Sequence, residues 1–424
     1  MNTISSASAP SRNDATMPCR FCAGTDVVPV LDLGEQPLAN SYLTEIQMQE
    51  PELEPKYPLR VRVCTQCWLV QLEDYARRED IFNDDYSYYS SFSSTWLSHA
   101  ADYVEKMTGT LDLDRSSLVV ELASNDGYLL RNFDARGIPV LGVEPCAGVA
   151  GAARAIGVRT EIVFFGTDTA SQLAASYGHA DLIVANNVLA HVPDLNDFVG
   201  GIKVLLKPQG TVTIEAPHLL QLLREGQFDT VYHEHYSYFS LAVLCRVFDA
   251  HGLAVVNVEE LETHGGSLRT YVRHAGAQDV DPSVDRVLRA EAAGGLEALD
   301  TYLEFRTKVE SVRDGLRNFL AAATQSGRRV AAYGAPAKGN TLLNYCGIGP
   351  SDIEFTVDAS PHKQGLFLPG SHIPIGGPQR IRDERPDDVV ILPWNLRKEI
   401  THQMADAIAA GTNFWVAIPS MNVA

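Results

Sequence analysis

A dense group of titratable and aromatic side chains lies in the segment YHEHYSY, which runs from Tyr232 to Tyr238. In an extended chain alternate residues share a face, so Glu234 would oppose His233 and His235, whereas a turn would let Glu234 meet His235. An imidazole, with an ordinary pKa of about 6.5, is the natural base near neutral pH. The segment therefore predicts acid–base chemistry. Metal binding by two histidines and a glutamate, or a purely structural cluster, are the alternatives.

A second candidate site is a loop of small residues between a predicted strand and a predicted helix, in the segment VVELASNDGYLL (119–130). Such a loop lets a ligand approach backbone N–H groups at the start of the helix. Ala123 and Ser124 replace the first glycines of the GxGxxG order, which argues against an NAD-dependent oxidoreductase. Glu144 ends the next predicted strand, about 23 residues after Glu121, where a carboxylate can accept both ribose hydroxyls of an adenosyl group.

Four of the seven cysteines form two CxxC pairs, and the other three stand alone in apolar surroundings. Each pair places two thiolates on one tight turn, and two such turns complete a tetrahedral set of four sulfur ligands for zinc. The pattern offers no spare ligand and no neighbouring base, so we expect a structural site that folds a region without its own core. The predicted ligands are Cys19, Cys22, Cys64 and Cys67.

Near the carboxyl terminus, the segment VAAYGAPAKGNTLLNY (330–345) combines a strand, a Gly/Ala-rich turn and the start of a helix. An anionic diphosphate could meet backbone N–H groups and the ammonium of Lys338 there. The GxxxxGK[ST] order is absent, so ATP hydrolysis is not indicated. A purely structural second domain is the alternative. The predicted contacts to a nucleotide are Tyr333, Lys338, Gly339, Asn340, Asp358, Lys363 and Asn395, with Trp394 beside the last.

Length and charge narrow the classes of function. With 424 residues, two or three domains are expected. The net charge of −19 and a pI near 5.0 give no overall attraction to a phosphate backbone, and lysines and arginines form no basic stripe, so nucleic acid is not a predicted partner. No apolar run is long enough to span a membrane and the first residues lack the features of a signal peptide, so we expect a cytoplasmic protein.

Strand-like and helix-like segments alternate over most of the chain, which predicts an α/β fold with a parallel, doubly wound sheet. A charged, Ala- and Leu-rich stretch predicts a helical connector, after which the strand rhythm restarts. The predicted divisions are a disordered leader at 1–16, a zinc-binding module at 17–75, an α/β core at 76–281, a helical connector at 282–326 and a second, Rossmann-like unit at 327–424.

The order of VELASNDG, GVEP and NNVLAHVPD resembles class I S-adenosylmethionine-dependent methyltransferases. The resemblance implies S-adenosylmethionine as the cofactor of the 76–281 core. It implies that the first strand and its loop line the methionine end, that Glu144 holds the ribose, that Phe165 and Gly166 flank the adenine, and that Asn186 closes the site. A Rossmann-like core without this cofactor is the alternative. The implied cofactor residues are Glu121, Ala123, Ser124, Asn125, Gly127, Glu144, Phe165, Gly166 and Asn186.

In their order, the doubled CxxC, GEQPLANSYL, DDYSYYSSFS, ELASNDG, YHEHYSYFS, HGGSLR and GAPAKGNTLL resemble the sugar C-methyltransferases of deoxysugar biosynthesis in antibiotic-producing actinomycetes. These enzymes act on dTDP-4-keto-deoxyhexoses. The family has a zinc-binding N-terminal domain, a methyltransferase core and a Rossmann-like C-terminal domain that helps to grip the nucleotide. The resemblance implies a small-molecule nucleotide-sugar substrate and these catalytic residues: His235, Glu234, Tyr232, Tyr86 and His191.

These residue types fit methylation of a carbon beside a ketone. His235 would remove the proton while Glu234 orients its imidazole. Tyr86 or His191 would donate to the enolate oxygen. Two neighbouring tyrosines could take the place of Tyr86, namely Tyr88 or Tyr89.

Three questions stay open at this point. A 4-keto group acidifies both carbon 3 and carbon 5, and the resemblance favours carbon 3. O- or N-methylation of another small molecule, and a non-catalytic zinc-bearing binding protein, are the alternative functions. We expect a monomer or a weak homo-oligomer.

Overall fold

The computed structural model describes residues 17–75, 79, 89–276 and 280–424. The described chain forms three sheets, one in each of three regions that follow one another along the sequence. The predicted leader at 1–16 and the candidate site residues Tyr86 and Tyr88 lie outside the described residues. Within the described part of the chain, the helices fall short of the length and apolarity needed to cross a membrane.

The N-terminal region is a small antiparallel sheet that adjoins the two CxxC turns. Alternation along the sheet buries Leu59, Val61 and Val63 on one face. The strands of this region are β1 (Val27–Gln36), β2 (Tyr57–Cys64) and β3 (Val70–Leu72).

The middle region is a seven-stranded sheet with an apolar core on each face, and this packing matches the continuous apolar runs of its strands. Its order is β10-β11-β8-β7-β4-β5-β6, in which β11 runs antiparallel to both β8 and β10, and the inner strands are parallel. Its seven strands are β4 (Val119–Leu122), β5 (Val140–Val143), β6 (Thr160–Glu161), β7 (Ala180–Asn186), β8 (Leu206–Pro217), β10 (Leu253–Leu261) and β11 (Ser267–His274). A further short strand of this part of the chain, β9 (Ser237–Tyr238), pairs with β3 and belongs to the N-terminal sheet.

Helices cover both faces of the middle sheet. They are α1 (Ser94–Thr110), α2 (Leu130–Asp134), α3 (Ala147–Ala155), α4 (Thr167–Tyr177), α5 (Leu195–Leu205) and α7 (Leu241–Ala250). The short helix α6 (Leu219–Arg224) follows β8 and packs in the core that the N- and C-terminal regions share. Two further helices, α8 (Pro282–Ala293) and α9 (Leu299–Gln325), lead to the last region. Pro282 opens α8 at a position where its missing N–H has no helical partner, and the Asp281 carboxylate caps the same end.

The C-terminal region is a smaller sheet in the order β14-β13-β12-β15-β16-β17, parallel except for its last strand. The strands are β12 (Val330–Tyr333), β13 (Thr356–Val357), β14 (Ile375–Gly376), β15 (Asp388–Ile391), β16 (Asn413–Val416) and β17 (Asn422–Val423). The helices are α10 (Ala337–Cys346), α11 (Gln379–Glu384), α12 (Arg397–Gln403) and α13 (Ala405–Ala409). Two mostly parallel α/β sheets agree with the predicted fold class.

One hydrophobic core joins the first and last regions. The buried face of α9, including Val312 and Leu316, packs in the same cluster as Leu31 of β1 and Ala332 of β12. The N-terminal module and the C-terminal domain therefore share one packed core.

Candidate active site

A cavity of about 390 Å³ lies where the carboxyl ends of the middle strands face the C-terminal domain. Ligands of open α/β sheets bind at this edge, because the loops that follow the strands converge there. All three regions line the cavity: Asn40 from the module, Asn125 and Glu144 from the core, and Lys338 and Lys363 from the C-terminal domain.

The loop between β4 and α2 takes a shape that small residues permit. Ala123, Asn125 and Gly127 all have left-handed backbone angles, with φ of 51°, 50° and 78°. At Gly127 an added Cβ would also press on Val158 at 3.2 Å, so glycine suits this position for two reasons. The loop turns back toward the cavity, and its N–H at Asn125 donates to a carboxylate oxygen of Glu144 at 2.9 Å.

Glu144 stands at the end of β5, is 4% exposed and lines the cavity. Its second oxygen accepts the N–H of Cys146 at 2.9 Å, and burial raises the pKa of the carboxyl above its ordinary value. Among the described residues, neither side-chain atom of Asn186 has a hydrogen-bond partner, although both are buried at the cavity wall. A carboxylate for ribose hydroxyls and an unsatisfied amide fit an adenosyl ligand.

The predicted cofactor residues divide into two groups. Those that line the cavity are Ala123, Asn125, Glu144, Phe165 and Asn186. Glu121, Ser124, Gly127 and Gly166 lie behind the lining and shape it.

The residues behind the lining have identifiable roles in shaping it. Burial raises the pKa of Glu121 well above its ordinary value, and its carboxyl is hydrogen-bonded to Tyr128, which does line the cavity. Ser124 packs against Gly142, where a Cβ would approach its hydroxyl oxygen at 2.4 Å. Gly166 precedes α4 beside the Asp197 carboxylate, which leaves no space for a side chain.

The two CxxC pairs meet as predicted. The sulfur atoms of Cys19, Cys22, Cys64 and Cys67 all lie within 4.8 Å of one another. Between the two CxxC motifs, the Sγ–Sγ distance is 3.5 Å from Cys19 to Cys67 and 3.6 Å from Cys22 to Cys64. A tetrahedron with Zn–S bonds of about 2.3 Å has edges of about 3.8 Å. The four thiols therefore lie close enough together to surround one zinc ion.

A turn at residues 230–238 replaces the extended chain considered for this segment, and it is called the catalytic turn after the role predicted for His235. The Nδ1 of His235 lies 2.8 Å from the carbonyl oxygen of Thr230, and its Nε2 lies 2.8 Å from the hydroxyl of Tyr232. A carbonyl only accepts, so Nδ1 carries the proton and Nε2 is the basic nitrogen. Burial, and then the neighbouring His191 at 4.6 Å between ring centroids, lower the pKa of His235 well below its ordinary value. The imidazole of His235 is thus neutral near pH 7.

The role predicted for Glu234 is wrong in one respect. Its carboxylate does not orient the imidazole, because the two ring nitrogens of His235 contact Thr230 and Tyr232. Both oxygens of Glu234 instead accept from the Nδ2 of Asn40 at 2.8 Å. Burial raises the pKa of Glu234 to about 7. In the turn, the neighbouring side chains of Glu234 and His235 therefore form hydrogen bonds with different partners.

Of the histidine and tyrosine residues predicted to lie near the keto oxygen, His191 lines the cavity but Tyr89 does not. His191 lines the cavity and is hydrogen-bonded to the backbone of Glu234, and burial lowers its pKa to about 4. Tyr89 stacks on His362 of the C-terminal domain at 5.1 Å between ring centroids, and the cavity lining includes its neighbour Ser90 instead. Tyr86 lies outside the described residues.

Two cationic side chains from the C-terminal domain reach the cavity. The Nζ of Lys338 donates to Asn395 at 2.9 Å and lies 5.0 Å from the centre of the Trp394 ring. Burial lowers the pKa of Lys338, while the nearby Asp229 carboxylate opposes that shift. The Nζ of Lys363 donates to the carbonyl of Ala335 at 2.8 Å.

Four of the predicted nucleotide contacts do not line the cavity. The hydroxyl of Tyr333 donates to Gln403 at 2.9 Å, in the domain's other core, because successive strand residues face opposite ways. Gly339 packs on Leu392, Asn340 donates to the carbonyl of Ala39 at 2.6 Å, and Asp358 accepts the N–H groups of Ala335 and Ser360. These residues shape the loops that carry Lys338, Lys363 and Asn395.

The prediction missed a third histidine. His264 lines the cavity, and its Nε2 lies 3.2 Å from the Nδ2 of Asn187, which also lines it. Both residues are left-handed, with φ of 55° and 56°, and Trp96 meets the His264 ring edge-on at 5.3 Å. The sequence did carry a signal, since the two glycines that follow His264 in HGGSLR indicate a strained turn at a strand end.

Comparison with known proteins decides the class of enzyme. A zinc-binding domain family matches residues 19–82, a methyltransferase domain family matches 96–258, and a family described as C-methyltransferase C-terminal domain matches 262–419. The C-methyltransferase NovU of Streptomyces niveus is 36% identical over 406 residues, which is 96% of this chain and 96% of that protein. This chain belongs to the C-methyltransferase family.

Solved structures resemble the methyltransferase core at low identity. A S-adenosylmethionine-dependent methyltransferase from Clostridium acetobutylicum is 12% identical over 42% of this chain and 92% of that chain, with a TM-score of 0.34. The CcbJ methyltransferase from Streptomyces caelestis is 15% identical over 42% and 90%, with a TM-score of 0.33.

Family membership confirms several predictions. The protein is a S-adenosylmethionine-dependent C-methyltransferase with a class I core, and its N-terminal module is a zinc-binding domain that contains the cluster of four cysteines. The alternatives of O- or N-methylation and of a non-catalytic binding protein are set aside.

Proposed function

We propose that this C-methyltransferase methylates carbon 3 of a dTDP-4-keto-deoxysugar, with His235 as the base, in deoxysugar biosynthesis in the cytoplasm. The observation that carries the proposal is the neutral imidazole of His235, whose basic Nε2 belongs to a cavity shared by the cofactor loop and two lysines. A carbon that is to attack a methyl group must first lose a proton, and the carbonyl beside it makes that loss possible.

The chain's own residues divide the work of deprotonation. The Thr230 carbonyl fixes the Nδ1–H tautomer of His235, and the hydroxyl of Tyr232 occupies Nε2 until a carbon acid takes its place. His191, on the same wall, is placed to stabilise charge on the keto oxygen. When bound, S-adenosylmethionine supplies an electrophilic methyl group on sulfur.

The residues that the C-terminal domain contributes to the cavity support a nucleotide as part of the substrate. Lys338 and Lys363 line the cavity on the C-terminal side, and two ammonium groups with neighbouring backbone N–H groups suit a diphosphate. The sugar would then lie between the lysines and His235.

Two measurements test the proposal. Incubation with methyl-labelled cofactor and a panel of dTDP-4-keto-deoxysugars, followed by NMR of the product, should locate the new methyl at carbon 3. His235→Asn should lower turnover by about 10²–10⁴-fold, the usual contribution of a positioned base, with little change in cofactor affinity by calorimetry. A methyl group at carbon 5 or on oxygen, or undiminished turnover by the variant, would overturn the proposal.

A further inference from the structure

The zinc-binding module surrounds the catalytic turn. At the end of the turn β9 pairs with β3, so that Ser237 lies opposite Gln71 and Tyr238 opposite Val70. The N–H of Leu72 donates to the carbonyl of Tyr236 at 3.0 Å. The strand that follows the Cys64–Cys67 turn, β3, therefore supports β9, the strand that follows His235.

A second link comes from Arg20, which lies between the first two zinc ligands. Its guanidinium donates to the carbonyl oxygens of Pro193 at 2.6 Å and Leu72 at 2.8 Å. The same group lies 5.2 Å from the centre of the Tyr236 ring, a distance at which a cation–π contact is favourable. Pro193 lines the cavity, and Tyr236 directly follows His235. Arg20 therefore connects the cavity wall and the catalytic turn to the Cys19–Cys22 turn.

The third link enters the cavity itself. The amide nitrogen of Asn40 lies 2.8 Å from each carboxylate oxygen of Glu234. The hydroxyl of Tyr42 donates to the carbonyl of Ala335 at 2.6 Å and lies 3.3 Å from the amide oxygen of Asn40. The opposite amide orientation would put oxygen against carboxylate, so this pattern fixes which way the amide faces. Asn40 supplies a buried carboxylate with hydrogen bonds that it would otherwise lack.

We propose that the zinc-binding module is part of the active site, and that Asn40 is a positioning residue that acts through Glu234 to hold the catalytic turn. The inference rests on the proposed function, because it takes His235 as the base. A buried carboxylate without a donor would draw in water or turn away, and His191, which is bonded to the Glu234 backbone, would move with it. The module's contribution to catalysis is thereby separate from its contribution to folding.

The state of Glu234 gives the proposal a pH signature. The groups that face this carboxyl are Asn40 and Tyr42 of the module, Lys363 of the C-terminal domain and Tyr236 of the turn. Burial raises the Glu234 pKa, whereas Asn40 and Lys363 lower it. Removing the Asn40 amide therefore raises the pKa of Glu234 further, and the acid limb of the kcat profile should move to higher pH.

The test compares full-length zinc-loaded enzyme with Asn40→Ala and Asn40→Asp, using a dTDP-4-keto-6-deoxyhexose that the wild type turns over. Asn40→Asp keeps the shape but replaces the donor by a like charge. The matched control is Asn196→Ala, which removes hydrogen bonds between the core and the same module, at the backbone carbonyls of Phe21 and Arg20, and leaves the Arg20 guanidinium and the catalytic turn unaltered. Both Asn40 variants should lower kcat at least tenfold and shift the acid limb upward, while zinc content, KM for cofactor and the control's profile stay unchanged.

A double-mutant cycle decides whether Asn40 acts through Glu234. In a Glu234→Gln background, Asn40→Ala should have less than a threefold further effect on kcat, because the group it positions is already altered. Full additivity, or Asn40 variants with wild-type kcat and pH profile, would overturn this inference while His235→Asn remained inactive. Activity retained by His235→Asn would instead overturn the proposed function.

Discussion

The cofactor loop and the catalytic turn face the same cavity but are built in different ways. The loop is shaped by neighbours within the core: three left-handed residues, the Glu144 carboxylate at the next strand end, and packing against α3. The turn depends on residues far away in sequence, since Asn40 and Glu234 are 194 positions apart. The first site is a property of one domain, whereas the second requires two others to be in place.

Loss of zinc should separate the two sites most strongly. Cys64→Ser removes a buried ligand at the end of β2, and a structural zinc is worth about 10–16 kcal/mol in small zinc-finger peptides. We expect the rate of methyl transfer to fall by more than 100-fold and the cofactor Kd to change by less than tenfold. Turnover assays and calorimetry measure these two quantities, and the zinc content of each preparation is measured as well. The separate Cys245→Ser variant, which removes a thiol outside the cluster, is the control. Normal turnover in zinc-free enzyme would remove the contrast between the sites.

The reverse effect is expected at the cofactor loop. Glu144→Gln should raise the cofactor Kd about 10- to 100-fold, because the amide replaces one buried carboxylate oxygen that accepts hydrogen bonds. Loss of such a buried hydrogen bond costs about 1–3 kcal/mol. Turnover at saturating cofactor should fall only a few-fold. Calorimetry with S-adenosylhomocysteine measures the change, with Glu161→Gln at the next strand end as control, since Glu161 does not line the cavity. An unaltered Kd would show that Glu144 does not hold the ribose.

The C-terminal wall should affect substrate binding rather than the chemical step. Lys338→Met keeps the length of the side chain but removes its charge, and we expect KM for the nucleotide sugar to rise about tenfold with kcat within about threefold, in line with the 1.5–3 kcal/mol of a charged hydrogen bond. The exposed Lys398→Met provides the control. A change confined to kcat would place Lys338 in the chemistry instead.

The smallest effect concerns stability and pH. The folded-state pKa of Glu234, about 7, lies above the ordinary value of 4.5, so its stabilising contribution is complete below pH 4.5 and is lost as pH rises through 7. Glu234→Gln avoids that loss, and its Tm relative to the wild type should be a few degrees higher at pH 8 than at pH 5. Parallel melting curves at both pH values would show that Glu234 does not titrate in this range.

Sequence reasoning succeeded where the relevant contacts are local. Paired cysteines on tight turns, the small-residue loop and the acid at the second strand end all carry their chemistry within a few residues, and the structure brings those groups to the expected places. The two-sheet α/β architecture followed from apolar strands that alternate with helices.

It failed where the partner is distant or where the facing of a side chain is decided by packing. No local pattern indicates that Glu234 pairs with Asn40, or that Tyr333 faces Gln403 and not the cavity. His264 was missed because its position follows from how β10 and β11 join beside Trp96, which depends on the folded core.

Exchange of the acidic proton of the substrate with solvent measures deprotonation by His235 apart from methyl transfer. In D₂O with S-adenosylhomocysteine bound, methyl transfer cannot occur, so NMR of the ketosugar reports deprotonation alone. We expect the wild type to place deuterium on the carbon beside the ketone, and we expect His235→Asn, with the same affinity for S-adenosylhomocysteine, not to do so. Exchange by the variant at the wild-type rate would contradict the proposed role of His235.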